Sequence, residues 1–162
     1  MSPNPIRNPP VPTVGRFNIV TCNGCFGQEL HPGHYFFLGF ARGLGDELVV
    51  GINSDRYIRE HKGYEPIPEG ERVEMLMRLG FIREVVVFRE SDPIEFIRKV
   101  RPDIHCTGEE YRHGTCKEEA ICRALWIKLV FVPRIGSWST RGILRGKAAH
   151  ARNNQGELAA KI

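Results

Sequence analysis

No apolar run in the 162 residues approaches the ~18–20 that a membrane-spanning helix needs. Residues 1–15 also lack the apolar stretch of a signal peptide, and carry Pro3, Pro5, Pro9, Pro10 and Pro12 instead. They are expected to form an extended, disordered, Pro-rich tail. Cysteine is sparse and odd in number: Cys22, Cys25, Cys106, Cys116 and Cys122. Without an export signal, that favours a reduced, cytoplasmic protein over a disulfide framework. Cys22 and Cys25 form a C-x-x-C, but neither Cys116 with Cys122 nor His105 with His113 completes a zinc spacing, so no metal ligands are expected. No internal repeat is present.

An excess of one charge is also missing from most of the chain. The net charge is +4, from 23 Lys+Arg against 19 Asp+Glu. Arg141, Arg145, Lys147, Arg152 and Lys161 face only Glu157 in the last 22 residues, so the rest is balanced. A nucleic-acid arm would interleave aromatics with these cations, and none are there; no nucleic-acid partner is expected. At 41% hydrophobic and 26% charged, the chain can bury one domain-sized core.

Strand and helix patterns alternate. Strands are expected at 16–22, 47–52, 84–88, 103–106 and 128–132. Helices are expected at 33–44 with Gly45 as the cap, after Asn53-Ser54-Asp55, and at 69–79, 93–100 and 117–126, with a last one opened by Ser139-Thr140. His61 to Pro68 is expected as a loop, and Phe36, Phe37, Phe40 and Trp126 as core residues. Such alternation argues for an α/β fold with a parallel sheet of about five strands and helices on both faces. Ligands of such sheets bind at the carboxyl ends of the strands.

The strongest chemical signal lies just past the first strand, in Asn23-Gly24-Cys25-Phe26-Gly27-Gln28-Glu29-Leu30-His31-Pro32-Gly33-His34. His31 and His34, three apart, share one face of a helical turn, and Gly33 lets a ligand approach the backbone. The helix start offers N–H groups to an anion, and two imidazoles add donors suited to polyphosphate. Lys62 can bring a point charge to phosphate, and Arg72 can either pair with Glu69 or Glu71 or reach phosphate as a fork donor. Asp55, after the second strand, either caps its helix or touches an acceptor hydroxyl.

These residues resemble the nucleotidyltransferases with an H-x-G-H motif, the cytidylyltransferase-like superfamily. The resemblance covers residues 16–146. It rests on Asn23 to Phe26 with Leu30 to His34, Ala41 to Asp55, Lys62-Gly63, Glu71-Arg72, Pro102-Asp103 through Gly108-Glu109-Glu110-Tyr111, and Arg134 with Ser137 to Thr140. It is closest to adenylyltransferases that make ADP-heptose from heptose 1-phosphate. Glycerol-3-phosphate cytidylyltransferases are similar but more distant. The resemblance implies a Rossmann-like domain over 16–146, between the 1–15 tail and a basic 147–162 tail. It implies transfer of NMP from an NTP, ATP favoured, to a sugar or polyol phosphate with release of pyrophosphate. His31, His34 and Lys62 would be catalytic. Cys25, Phe26, Gly33, Arg72, Gly108, Arg134, Ser139 and Thr140 would bind nucleotide and phosphate, and Asp55 the acceptor. Mg2+ and a homodimer are implied too. One departure stands out: the family's aspartate after the phenylalanine is Gly27 here, and one extra residue precedes His31. Glu29 is a candidate replacement. This departure leaves a catalytically impaired nucleotide-binding homologue as an alternative, beside a CTP-dependent enzyme.

Overall fold

The computed structural model describes residues 18–136. Within them the chain runs β1 (Ile19–Gly24), α1 (Pro32–Arg42), β2 (Glu47–Asn53), α2 (Asp55–Lys62), α3 (Glu69–Met77), β3 (Glu84–Phe88), α4 (Ile94–Val100), β4 (Ile104–Gly108), a 3-10 turn (Glu109–Tyr111), α5 (Glu119–Ala124) and β5 (Lys128–Val132). The strands form one parallel sheet in the order β3-β2-β1-β4-β5. Crossovers that step outward from β1 bring α1 and α3 to one face, where Leu38, Ala41 and Leu76 pack on Val20, Cys22, Leu48, Val50 and Cys106. The return across the sheet brings α4 and α5 to the other face, where Phe96, Ile97, Ile121 and Cys122 pack on Val49 and Phe88. The expected α/β Rossmann-like sheet is therefore present.

β2 is buried from Leu48 to Asn53 because it lies between β1 and β3 and under helices on both faces. β3 and β5 have the expected bounds. β1 runs later than expected, through Asn23-Gly24, because its pairing with β2 continues to Gly24 opposite Ile52. β4 likewise extends to Gly108, which pairs with Val132. α1 ends earlier, with Gly43 rather than Gly45 as its cap; the Gly43 N–H donates to Gly39 O at 3.0 Å.

Lys62 does not lie in the 61–68 loop as expected. It closes α2, and the left-handed Gly63 (φ 72°) follows. Trp126 is not a core residue: it is 71% exposed and left-handed (φ 59°). It stands where a helix stop usually has glycine. The Ile127 N–H donates to Cys122 O (2.8 Å) and the Trp126 N–H to Arg123 O (3.3 Å), which turns Ile127 inward in its place. Phe36, Phe37 and Phe40 pack against the core from α1, as expected. Among the described residues no helix is long and apolar enough to cross a membrane. The helix expected after Ser139-Thr140, and both tails, lie outside the described residues.

Candidate active site at the carboxyl ends of the strands

The order reverses between β1 and β4, and a cavity of about 550 Å³ opens there. Its floor is the β1–α1 connection. Phe26, buried and at φ 44°, supports it from below. The next turn is made by the two histidines. The His34 N–H donates to His31 Nδ1 (3.3 Å), and the His31 N–H donates to His34 Nδ1 (3.4 Å). This is a capping box built from imidazoles. The rings stack with centroids 3.7 Å apart. Because each Nδ1 accepts, the proton of each neutral ring sits on Nε2. Burial and the neighbouring His31 push His34 down to about 4. Burial also lowers His31, and the charge of Arg134 acts in the same sense. At neutral pH the pair is a set of uncharged donors at the start of α1, where backbone N–H groups and the helix dipole also favour an anion.

Lys62 and Arg134 line the same cavity and add positive charge. Cys25 and Gly33 line it too. The Cys25 thiol donates to Asn53 Oδ1 (3.4 Å); burial raises its pKa, partly offset by Lys62 and Arg72. Asp92, Glu110, Lys117 and Glu118 also line the cavity. Among the described residues, no three His, Cys, Asp or Glu side chains cluster as a metal cage. Cys22 of the C-x-x-C is fully buried and pairs in register with Cys106, whose thiol burial pushes up to about 12.

A cavity at the switch point, with paired histidines at the first helix start, leaves the question of lineage. The family model described as cytidylyltransferase-like matches residues 13–129. The chain belongs to the cytidylyltransferase-like family. Curated relatives named bifunctional protein HldE include that of Koribacter versatilis (strain Ellin345), 46% identical over 95 residues, 57% of this chain and 19% of the relative. That of Methylobacillus flagellatus is 35% identical over 133 residues, 81% of this chain and 27% of the relative. The matched part is thus only about a fifth to a quarter of these longer proteins. Among solved structures, a lipopolysaccharide core biosynthesis protein from Thermoplasma volcanium GSS1 aligns with a TM-score of 0.61 and 27% identity, covering 76% of this chain and all of that one. A pantoate-beta-alanine ligase from Francisella tularensis, at 13% identity and a TM-score of 0.55 over 76% of this chain and 62% of that one, shares the fold.

Against this family background, the structure gathers His31, His34, Cys25, Phe26, Gly33, Lys62, Gly108 and Arg134 around one cavity. Ser139 and Thr140 lie outside the described residues. Two expected residues are elsewhere. Arg72 is fully buried and does not line the cavity. Its guanidinium donates to Ile67 O (2.8 Å), Cys25 O (2.7 Å), Asn53 O (2.9 Å) and Asp55 Oδ1 (2.6 Å). Asp55 is held by that pair, and its Oδ2 accepts from the Glu69 N–H (3.1 Å) while Glu69 Oε2 accepts from the Asp55 N–H (3.2 Å). Both therefore tie strand ends together instead of facing the cavity.

The missing aspartate has a steric counterpart. A Cβ on Gly27 would collide with the Tyr64 hydroxyl. The Ile67 N–H donates to Gly27 O (2.8 Å), and Gln28 Nε2 donates to Glu65 O (3.0 Å), so the 25–31 and 64–68 segments are stitched together. Glu29 is exposed and lies off the cavity, so it does not stand in for the lost carboxylate. Sequence reasoning missed Asn53, Tyr57, Asp92 and Glu118 as residues lining the cavity. The available signal was their position at or just after strand ends and at helix starts.

Proposed function

We propose that this protein transfers NMP from an NTP, ATP favoured, to a sugar or polyol phosphate, most like ADP-heptose synthesis. An acceptor phosphate oxygen attacks the α-phosphorus in line. The bond from that phosphorus to the β-phosphate oxygen breaks, and pyrophosphate leaves with the electron pair. The observation that carries this reading is the imidazole capping box, which holds both rings at a helix start on the cavity lining with their Nδ1 atoms facing the backbone. Neutral donors held by the backbone cost no reorganisation as charge builds on the phosphates. Lys62 and Arg134 neutralise the β- and γ-phosphates, with Ser139 and Thr140 as further phosphate ligands. Arg72 and Asp55 position the loops and touch no substrate.

Mg2+ is expected to arrive with the triphosphate. The wall fits such an ion: Asp92 and Glu118 line the cavity, and an ion held chiefly by phosphate needs one or two carboxylates rather than a cage. Its chemistry would be charge neutralisation on the leaving group. A homodimer is proposed on the family resemblance, to be checked by light scattering.

The test is pyrophosphate release with ATP and CTP, each offered with heptose 1-phosphate and glycerol 3-phosphate. His31→Asn keeps a capping oxygen but removes Nε2, and should lower turnover about 10²–10³-fold while the helix stays capped. Turnover that survives His31→Asn and His34→Ala together rules the mechanism out. A second reading, a nucleotide-binding homologue without turnover, is favoured by Tyr64 standing over Gly27. It predicts nucleotide binding by calorimetry and no pyrophosphate with any acceptor.

A further inference from the structure

Lys62 lines the cavity, yet it makes no hydrogen bond or ion pair among the described residues, so the backbone beneath it decides where its ammonium stands. That stretch of backbone has little of its own to hold it. α2 buries one side chain, Ile58, and Lys62 is its last residue. The left-handed Gly63 follows, with open space where a side chain would be. A chain can pivot at such a glycine. What comes after the pivot is tied on two sides. Glu65 turns its carboxylate back to α2, where it accepts from Arg59 Nε (2.7 Å) and Nη2 (2.6 Å), one turn before Lys62. Its carbonyl accepts from Gln28 Nε2 (3.0 Å), in the loop that leads to His31. Pro66 is buried, and the bond from the Ile67 N–H to Gly27 O continues the same attachment. Glu65 therefore closes a ring that runs from α2, across the pivot, to the histidine loop. The Arg59–Glu65 pair is exposed, at 51% and 69%, and such pairs add little to stability. The two parallel bonds between guanidinium and carboxylate still fix direction as well as distance. Arg59, Glu65 and Gln28 do not line the cavity.

We propose that Glu65 is a positioning residue that acts through Lys62: by holding Arg59 with its carboxylate and Gln28 with its carbonyl, it sets the lysine at a fixed reach from His31 and His34. The inference rests on the nucleotidyl-transfer reading, which gives Lys62 a phosphate to meet. An ammonium on a four-carbon stem is a point charge with no direction of its own. Fixing its backbone before the triphosphate arrives removes an ordering cost from binding.

The experiment is a double-mutant cycle on the full chain, Glu65→Ala with Lys62→Ala, read as the calorimetric Kd for ATP. Glu65→Ala alone is expected to weaken ATP binding by about 3–10-fold, less than the ~10²-fold that a 1 Å misplacement can cause. Its melting temperature should stay within about 3 °C of the wild type, because the pair it breaks is exposed. In the Lys62→Ala background the same substitution should change Kd by less than about twofold, since the lysine it positions is gone. Arg59→Ala should weaken binding as much as Glu65→Ala does, and the two together no more than either. An equal loss with and without Lys62, no loss on Glu65→Ala, or losses from Arg59→Ala and Glu65→Ala that simply add, each overturns the proposal while leaving the nucleotidyl-transfer reading in place. A wild-type chain that binds no ATP, or a Lys62→Ala chain that binds it as tightly as the wild type, removes the phosphate role of Lys62 on which that reading and this inference both rest.

Discussion

Arg72 shows how a residue type suited to phosphate can be spent on structure. Four of its donors are taken by three backbone carbonyls and Asp55, and its side chain is fully buried against a 19% exposed carboxylate. Removing a buried ionic partner leaves the other charge uncompensated, at about 3–5 kcal/mol. Arg72→Met should lower unfolding free energy in urea by that amount, and Arg72→Lys should recover only part, because an ammonium cannot span the four acceptors. Gly27 is the second decisive residue. Gly27→Asp should destabilise by about 1–3 kcal/mol through collision with Tyr64. Gly27→Asp with Tyr64→Ala should regain much of that loss in thermal melts. Both positions were conspicuous in the sequence as motif residues. Their roles were not legible, because burial and collision depend on which residues distant in the chain arrive beside them, Tyr64 over Gly27 and the Cys25 carbonyl, 47 residues away, on Arg72.

At the scale of elements, α1 starts and α5 stops on an unusual residue. The α1 start depends on neutral imidazoles, and His34 titrates at about 4 in the fold against an ordinary value near 6.5. The unfolded chain therefore binds the extra proton first. The contribution of the cap is complete above about pH 6.5 and is lost as the pH falls towards about 4. Melting temperature should fall over that window, and His34→Gln, which does not titrate there, should flatten the fall. At α5, Trp126 holds a left-handed backbone that costs a side chain about 1–2 kcal/mol. Asparagine tolerates that region, so Trp126→Asn should raise unfolding free energy by about 0.5 kcal/mol or more. Periodicity located the bounds of the two edge strands, β3 and β5, as their short apolar runs predict. It misjudged ends such as those of α1, β4 and α5. There the stop is set by a backbone hydrogen bond or a neighbouring strand rather than by residue type.

For the whole molecule, the decisive feature is a sheet whose order reverses between β1 and β4. One buried polar pair sits inside that sheet: Thr21 Oγ1 and His105 Nδ1 are 2.7 Å apart, and His105 Nε2 has no partner. Burial pushes His105 down to about 3, so it too takes up a proton only on unfolding. Thr21→Val with His105→Leu removes both partners and leaves no orphaned group. The double variant should be at least as stable as the wild type at pH 7. It should lose less stability between pH 6.5 and pH 4, read from urea midpoints.

The sequence by itself determined the alternation of strands and helices, the parallel sheet, and the histidine pair at the first helix start, because these follow from local periodicity and from contiguous motif spacing. Only the tertiary structure decided that Arg72 and Asp55 pair with each other and hold the strand ends, and that Tyr64 stands over Gly27. It alone brought Glu110 over Gly108 at the cavity wall. Those outcomes depend on which distant backbone carbonyls and side chains arrive at the same place once the core has packed, and residue type alone does not encode that.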